Sequence, residues 1–86
     1  MKIKKLYQEY KAATAAADQA DKMYEAHPES KELEENFDRL YTRQWDLFEQ
    51  LAHEISNLAT IDYKLARTII MKKGPELDNL LSRLEA

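Results

Sequence analysis

Apolar side chains recur at helical spacing along almost the whole chain, and one stretch carries the pattern without a break. It runs from Leu33 to Ala59, "LEENFDRLYTRQWDLFEQLAHEISNLA", with no Gly or Pro, and it holds the only Trp and both Phe residues. One stripe reads Leu33, Phe37, Leu40, Gln44, Leu47 and Leu51, less regularly continued by Glu54/Ile55. Steps alternating between three and four place these residues on one side of a helix. An earlier segment repeats the pattern through Ile3, Leu6, Tyr10, Ala13, Ala17, Ala20 and Tyr24. Its middle is built of small residues, so a facing helix can approach closely and fill the space with larger side chains.

His27-Pro28 separates the two segments, because proline disfavours helical geometry in the residue before it. Pro28 is expected in the first turn of the second helix, where its missing N–H costs nothing. Folding the chain back here pairs positions whose numbers sum to about 57. Tyr24 then meets Leu33, Ala20 meets Phe37, Ala17 meets Leu40 and Tyr10 meets Leu47. Ala13 would meet Gln44, whose amide is expected to bond Thr14 across the hairpin. Lys2, Lys4 and Lys5 have the wrong sign for their own helix dipole, as does Glu25. Beside the opposite ends of an antiparallel partner each sign becomes favourable.

After Ala59, Asp62 or Thr60 can cap a third helix, with Leu65, Ile69 and Ile70 as its stripe. Lys72 and Lys73 suit its last turn and Gly74 its stop. Pro75 opens a final helix bearing Leu77, Leu80, Leu81 and Leu84, or else marks a kink in one longer helix. This unit is expected to cover a second stripe of the long helix: Phe48, Ala52, Ile55 and Ala59. The pattern thus predicts a single all-α domain spanning 1–86 with coiled-coil-like packing. It comprises a long antiparallel αα-hairpin (about 3–26 and 29–59) and a short helical C-terminal unit (about 62–73 and 75–85) on its base.

Composition narrows the chemistry. One Gly and two Pro in 86 residues suit helices and argue against a β-sheet protein. A chain of this size buries roughly 60–65% of the surface its unfolded form exposes, so its core is thin. Cysteine is absent, which removes disulfides, thiolate metal sites and cysteine nucleophiles. The N-terminal "MKIKKLYQEY" lacks a following apolar run, so no signal peptide is expected, and no stretch approaches the ~18 apolar residues of a membrane span. The cytoplasm is the default compartment. Glu49, His53 and the string "HEISN" begin like a zincin helix, but Asn57 stands where the second His is needed. Gln50 occupies the position a di-iron Glu-x-x-His segment would need, and Ser30, Ser56 and Ser82 have no evident His–carboxylate relay. No catalytic residue, metal or cofactor is expected, and the chain is not expected to be an enzyme.

Two surfaces remain as candidates for binding. Residues 18–38 hold eight acids against Lys22 and Lys31, a local balance of −6 in a chain of net charge −3. Asp18, Asp21, Glu25, Glu29, Glu32 and Glu35 make this hairpin tip an anionic patch able to dock on a basic surface, or a solvated face carrying pairs such as Asp18–Lys22 and Glu35–Arg39. The second candidate is Tyr41 and Trp45, flanked by Arg39 and Arg43, a composition typical of protein-binding hot spots. A third helix of about 12 residues spans only roughly 18 Å and stops short of them. Leu80, Leu81 or Leu84, Met23 and Thr14, or a homodimer seam would otherwise cover Trp45. Lys64, Arg67, Lys72 and Lys73 could touch phosphates, although the acidic balance argues against nucleic acid.

The segment "IDYKLARTIIMKKGPELDNLL", after a helix containing "FDRLYTRQWDLFEQLAHEI", resembles small uncharacterised helical proteins of bacterial phages and conjugative or mobile elements. The shared features are the Ile-Asp start, the pair Ala66-Arg67 and the Leu-rich end; Gly74-Pro75 departs from that pattern. The resemblance implies a small acidic protein that regulates or inhibits a protein partner. Anti-CRISPR proteins that occupy a nuclease's nucleic-acid site with an acidic face are one group it brings in.

Overall fold

The computed structural model describes residues 2–72 and 74–85, omitting the side chains of Lys2 and Glu85. These residues form four α-helices and no strand: α1 (Lys2–Ala26), α2 (Lys31–Ala59), α3 (Tyr63–Lys72) and α4 (Pro75–Glu85). At 1.5 Å per residue, α1 and α2 are about 37 and 43 Å long. They lie side by side as an antiparallel hairpin that sets the 47 Å long axis of the molecule. The chain then returns through α3, which packs on α2, and α4, which packs on α3 and α1. None of these helices is long and apolar enough to cross a membrane.

The turn between α1 and α2 is two residues longer than Pro28 alone suggests. His27 donates its N–H to the carbonyls of Met23 and Tyr24, and Ser30 donates its own to His27, so Pro28 lies in a turn and not in a helix. The start of α2 is set by Ser30, whose hydroxyl accepts the Leu33 N–H at 3.3 Å. Glu32 and Glu34 then complement the dipole in the first turn. An N-terminal cap by serine outweighs the tolerance of proline at the first helical position, because it satisfies an otherwise orphaned donor.

At the other end, Thr60 closes α2 in the left-handed region, φ 54° and ψ 49°. Its N–H and that of Ile61 both reach the Ser56 carbonyl, and the Ser56 hydroxyl donates to the Ile61 carbonyl at 2.6 Å. This reverses the chain within three residues and places Ile61 against the core. Of the two caps offered by the sequence, Asp62 begins α3, its carboxylate accepting the Lys64 N–H at 3.0 Å. Gly74 has no positive φ and stands just ahead of Pro75, accepting the Leu77 N–H. It therefore opens α4, and the left-handed stop expected of it is not used. Two helices meet here, not one kinked helix; Lys73, the expected end of α3, lies outside the described residues.

Packing is uneven along the hairpin. One contiguous core joins Ile3 to Ala13 of α1, Leu47 to Ile55 of α2, and the inner stripes of α3 and α4. Phe48, Leu51 and Ile55 are fully buried there, each contributing about 1.5–3 kcal/mol by the area it removes from water. Beyond Ala13 the core stops. Ala17 and Ala20 are buried, yet Leu33, Phe37 and Leu40 opposite them are only half-buried. The tip half of the molecule is a bare two-helix arm.

Thr60 tests this description of the reversal. A left-handed conformation costs a β-branched residue roughly 1–2 kcal/mol, part of which glycine returns as lost chain entropy. Because the Thr60 side chain is exposed, Thr60→Gly is expected to stabilise the fold by about 1 kcal/mol and raise Tm by about 4–8 °C in a circular-dichroism melt. A lowered Tm would show that the threonine side chain holds the turn.

Candidate functional site

Where the four-helix base gives way to the arm, the elbow between α3 and α4 faces the tip and leaves a notch on each side. One notch, of about 380 Å³, is lined by Tyr7, Tyr10, Thr14 and Asp18 of α1 with Ile70 and Leu77. The other, of about 260 Å³, lies between Tyr10, Gln44, Trp45 and Phe48 on the hairpin and Met71 on α3. Tyr10 belongs to both, so the two notches share one face of the hairpin.

That face carries an unbroken series of rings. Tyr24 stacks on Phe37 (centroids 6.4 Å apart), Phe37 meets Tyr41 (5.5 Å), Tyr41 meets Trp45 edge-on (6.0 Å), and Trp45 meets Phe48 edge-on (5.1 Å). Phe48 completes it against Tyr10 (5.9 Å). Tyr24 thus contacts a residue one turn beyond the Leu33 expected opposite it. Helical side chains lean toward their own N-termini, so long rings on antiparallel helices meet across an offset. The ladder begins in the core at Phe48 and emerges at Tyr41, which is 45% exposed. Trp45 is half-buried, shielded by Phe48 and bordered by Met71 of α3, not by the leucines of α4. Met71 itself is 60% exposed.

The arginines expected beside these aromatics are elsewhere. Residues two apart on a helix point to different sides, and Arg39 and Arg43 each stand two from Tyr41. Arg39 turns to Asn36, donating to its Oδ1 at 2.6 Å, in place of the expected pairing with Glu35. Residues that do share a strip with Tyr41 and Trp45 are those three, four or seven positions away: Glu34 and Asp38. On α1 the matching strip runs from Asp18, at the notch, through Asp21 to Glu25. Of the expected anionic residues, Asp18, Asp21 and Glu25 therefore border the aromatic face, whereas Glu32 and Glu35 face away from it and Glu29 lies in the turn. Glu34 and Asp38 are the members that a helical-wheel reading of the sequence would have added.

Other expected side-chain roles are resolved differently. The Thr14 hydroxyl donates to the Tyr10 carbonyl of its own helix at 2.9 Å, so it does not bridge to Gln44. Arg67 is folded inward, its guanidinium 5.4 Å from the Phe48 ring and 5.8 Å from the Tyr63 ring. Its Nε is buried without a hydrogen-bond acceptor among the described residues, and the two rings face the guanidinium. That placement withdraws it from a phosphate-binding strip with Lys64 and Lys72; Lys73 and the Lys2 side chain lie outside the described residues. His53 stacks on Tyr63 at 4.3 Å. Among the described residues no group of three His, Asp or Glu side chains is arranged to hold a metal ion.

The fold moves the titration of Tyr7. Burial beneath α4 raises its phenol above the ordinary value of 10.0, and the nearby Asp78 carboxylate and Tyr10 add to this. Lys11 lies over the same ring, 4.7 Å from its centroid. A phenol held in its protonated form by folding contributes stability that is complete below about pH 10 and is lost as pH rises through the higher folded value. Tyr7→Phe is therefore expected to flatten the loss of stability above about pH 10, seen in urea midpoints compared with those at pH 8. Parallel pH profiles for the two proteins would contradict it.

Comparison with protein-family models, with curated proteins and with solved structures finds no match to the chain.

Proposed function

We propose that this chain is a small non-enzymatic protein-binding module that regulates or inhibits a protein partner. The observation that carries the proposal is the exposed stretch of the aromatic series. Tyr41 reaches solvent beyond the end of α3, and the series runs inward from it through the half-buried Trp45 to Phe48 in the core. A rigidly backed aromatic pair loses little conformational entropy on binding, which is what makes such residues hot spots. The resemblance to proteins of phages and mobile elements supports a setting in which such a module acts on another protein, in the cytoplasm.

The acidic arm favours a second reading, an anti-CRISPR-like inhibitor that places carboxylates where a nuclease would hold nucleic acid. The two readings are separable by mutation, because Glu32 and Glu35 lie off the aromatic face while Asp18, Asp21 and Glu25 border it. A partner recovered from the native host by pull-down and mass spectrometry allows both to be measured by calorimetry. The module reading expects Tyr41→Ala to weaken binding by at least about 2 kcal/mol, roughly thirtyfold, with the helical circular-dichroism spectrum retained. The nucleic-acid-mimic reading expects the larger loss from Glu32→Lys with Glu35→Lys. Affinity unchanged by Tyr41→Ala would reject the aromatic surface. A structural homodimer and a weak nucleic-acid binder are further options; light scattering at twice 10.1 kDa would reveal the first and a low-salt mobility shift sensitive to Lys72→Glu the second.

A further inference from the structure

We infer that the aromatic face of the arm is a groove for one amphipathic helix of a partner, flanked by basic residues. The inference rests on the protein-binding reading and specifies the partner's chemistry. Its floor is Tyr24, Phe37, Tyr41 and the edge of Trp45, along the line where α1 and α2 meet. One end is closed by the elbow, with Met71 projecting beside Trp45, and the other opens at the His27–Ser30 turn. From Thr14 to Ala26 the α1 wall is about 20 Å long, enough for a helix of about four turns. The groove continues the α2 surface on which α3 lies, so an added helix would extend along the arm the cover that α3 gives α2 at the base.

Charge selects the occupant. Asp18, Asp21 and Glu25 border the floor on α1, with Lys22 among them, and Glu34 and Asp38 border it on α2, so five acids face Lys22 and, at the two ends, Lys11 and Lys31. A helix with apolar residues at i, i+3, i+4 and i+7 and Lys or Arg on both flanks satisfies floor and rims together. A second copy of this chain would set the same acids against each other, since an isologous interface brings like strips together.

Two synthetic 16-residue helical peptides provide the test, sharing one Leu stripe and carrying either Lys or Glu on the flanks. The single Trp of the protein lies at the groove, so its emission reports occupancy when the peptides lack Trp. The Lys-flanked peptide is expected to bind one to one, to shift Trp45 emission, and to bind at least about tenfold more tightly than the Glu-flanked one at low salt. Tyr41→Ala is expected to lose about tenfold, whereas Arg43→Ala, on the other side of the helix, should match the native protein. Equal binding of the two peptides would overturn the inference. So would light scattering showing a dimer that Tyr41→Ala dissociates, for the groove would then belong to a second copy. If neither peptide binds while Tyr41→Ala still weakens the recovered partner, the helix-in-groove inference fails and the module reading stands. Failure of both measurements would remove both.

Discussion

Two helices packed in a hairpin share one seam, and each is left with a second apolar flank that only a further element can cover. In this chain that element is α3, and its length governs the rest. At 10 residues against the 29 of α2, α3 covers about one third of its neighbour. Within that third the interior closes completely: Leu51, Ala52, Ile55, Ala66 and Ile70 have no exposed surface. Where α3 ends, the seam alone has to hold the arm together, and seam residues as large as Phe37 and Leu40 are left partly in water.

The reversal at Thr60 and the restart at Pro75 therefore have consequences far from where they occur. Thr60 turns the chain back tightly enough for α3 to lie along α2, and a threonine in the left-handed region is a strained way to achieve this. Pro75 cannot continue the hydrogen-bonding of α3, so α4 starts anew and fills the space over α1 with Leu77, Leu80 and Leu81. Had the helical run of α3 extended two more turns, it would have passed Trp45, reached Tyr41 and closed the face. Helix punctuation near residue 74 thus determines which aromatic residues remain available to a partner.

Much of this was legible in the chain. The all-α hairpin followed from the stripes in α1 and α2, because heptad spacing, small-against-large pairing and terminal charges agreed on one arrangement. The shortness of α3 followed from Lys72 and Gly74-Pro75, and with it the open position of Tyr41. Less visible was whatever depended on angle around a helix instead of distance along it. Arg39 and Arg43 are neighbours of Tyr41 in sequence yet sit on other sides of α2. Glu34, three positions before Phe37, and Asp38, three before Tyr41, border the aromatics instead. Pro28 misled for a related reason: it permits a helix start, but Ser30 supplies a hydrogen bond for one, and a satisfied donor outweighs a tolerated ring.

The juxtaposition of an acidic strip with exposed aromatics also bears on how such a small chain remains folded. Carboxylates outnumber lysines along the rims, and like charges add no attraction across an arm already short of buried area. Exposed Tyr41, Met23 and Met71 add apolar surface that water disfavours. Neither feature is required by the hairpin, since charged pairs on the rims and polar residues at those positions would leave the Ala-rich seam intact. Both are relieved at once by a cationic, apolar-striped element laid along the arm, in the same way that α3 relieves the base. The base and the arm thus present the same physical problem, solved within the chain for the base and left unsolved there for the arm.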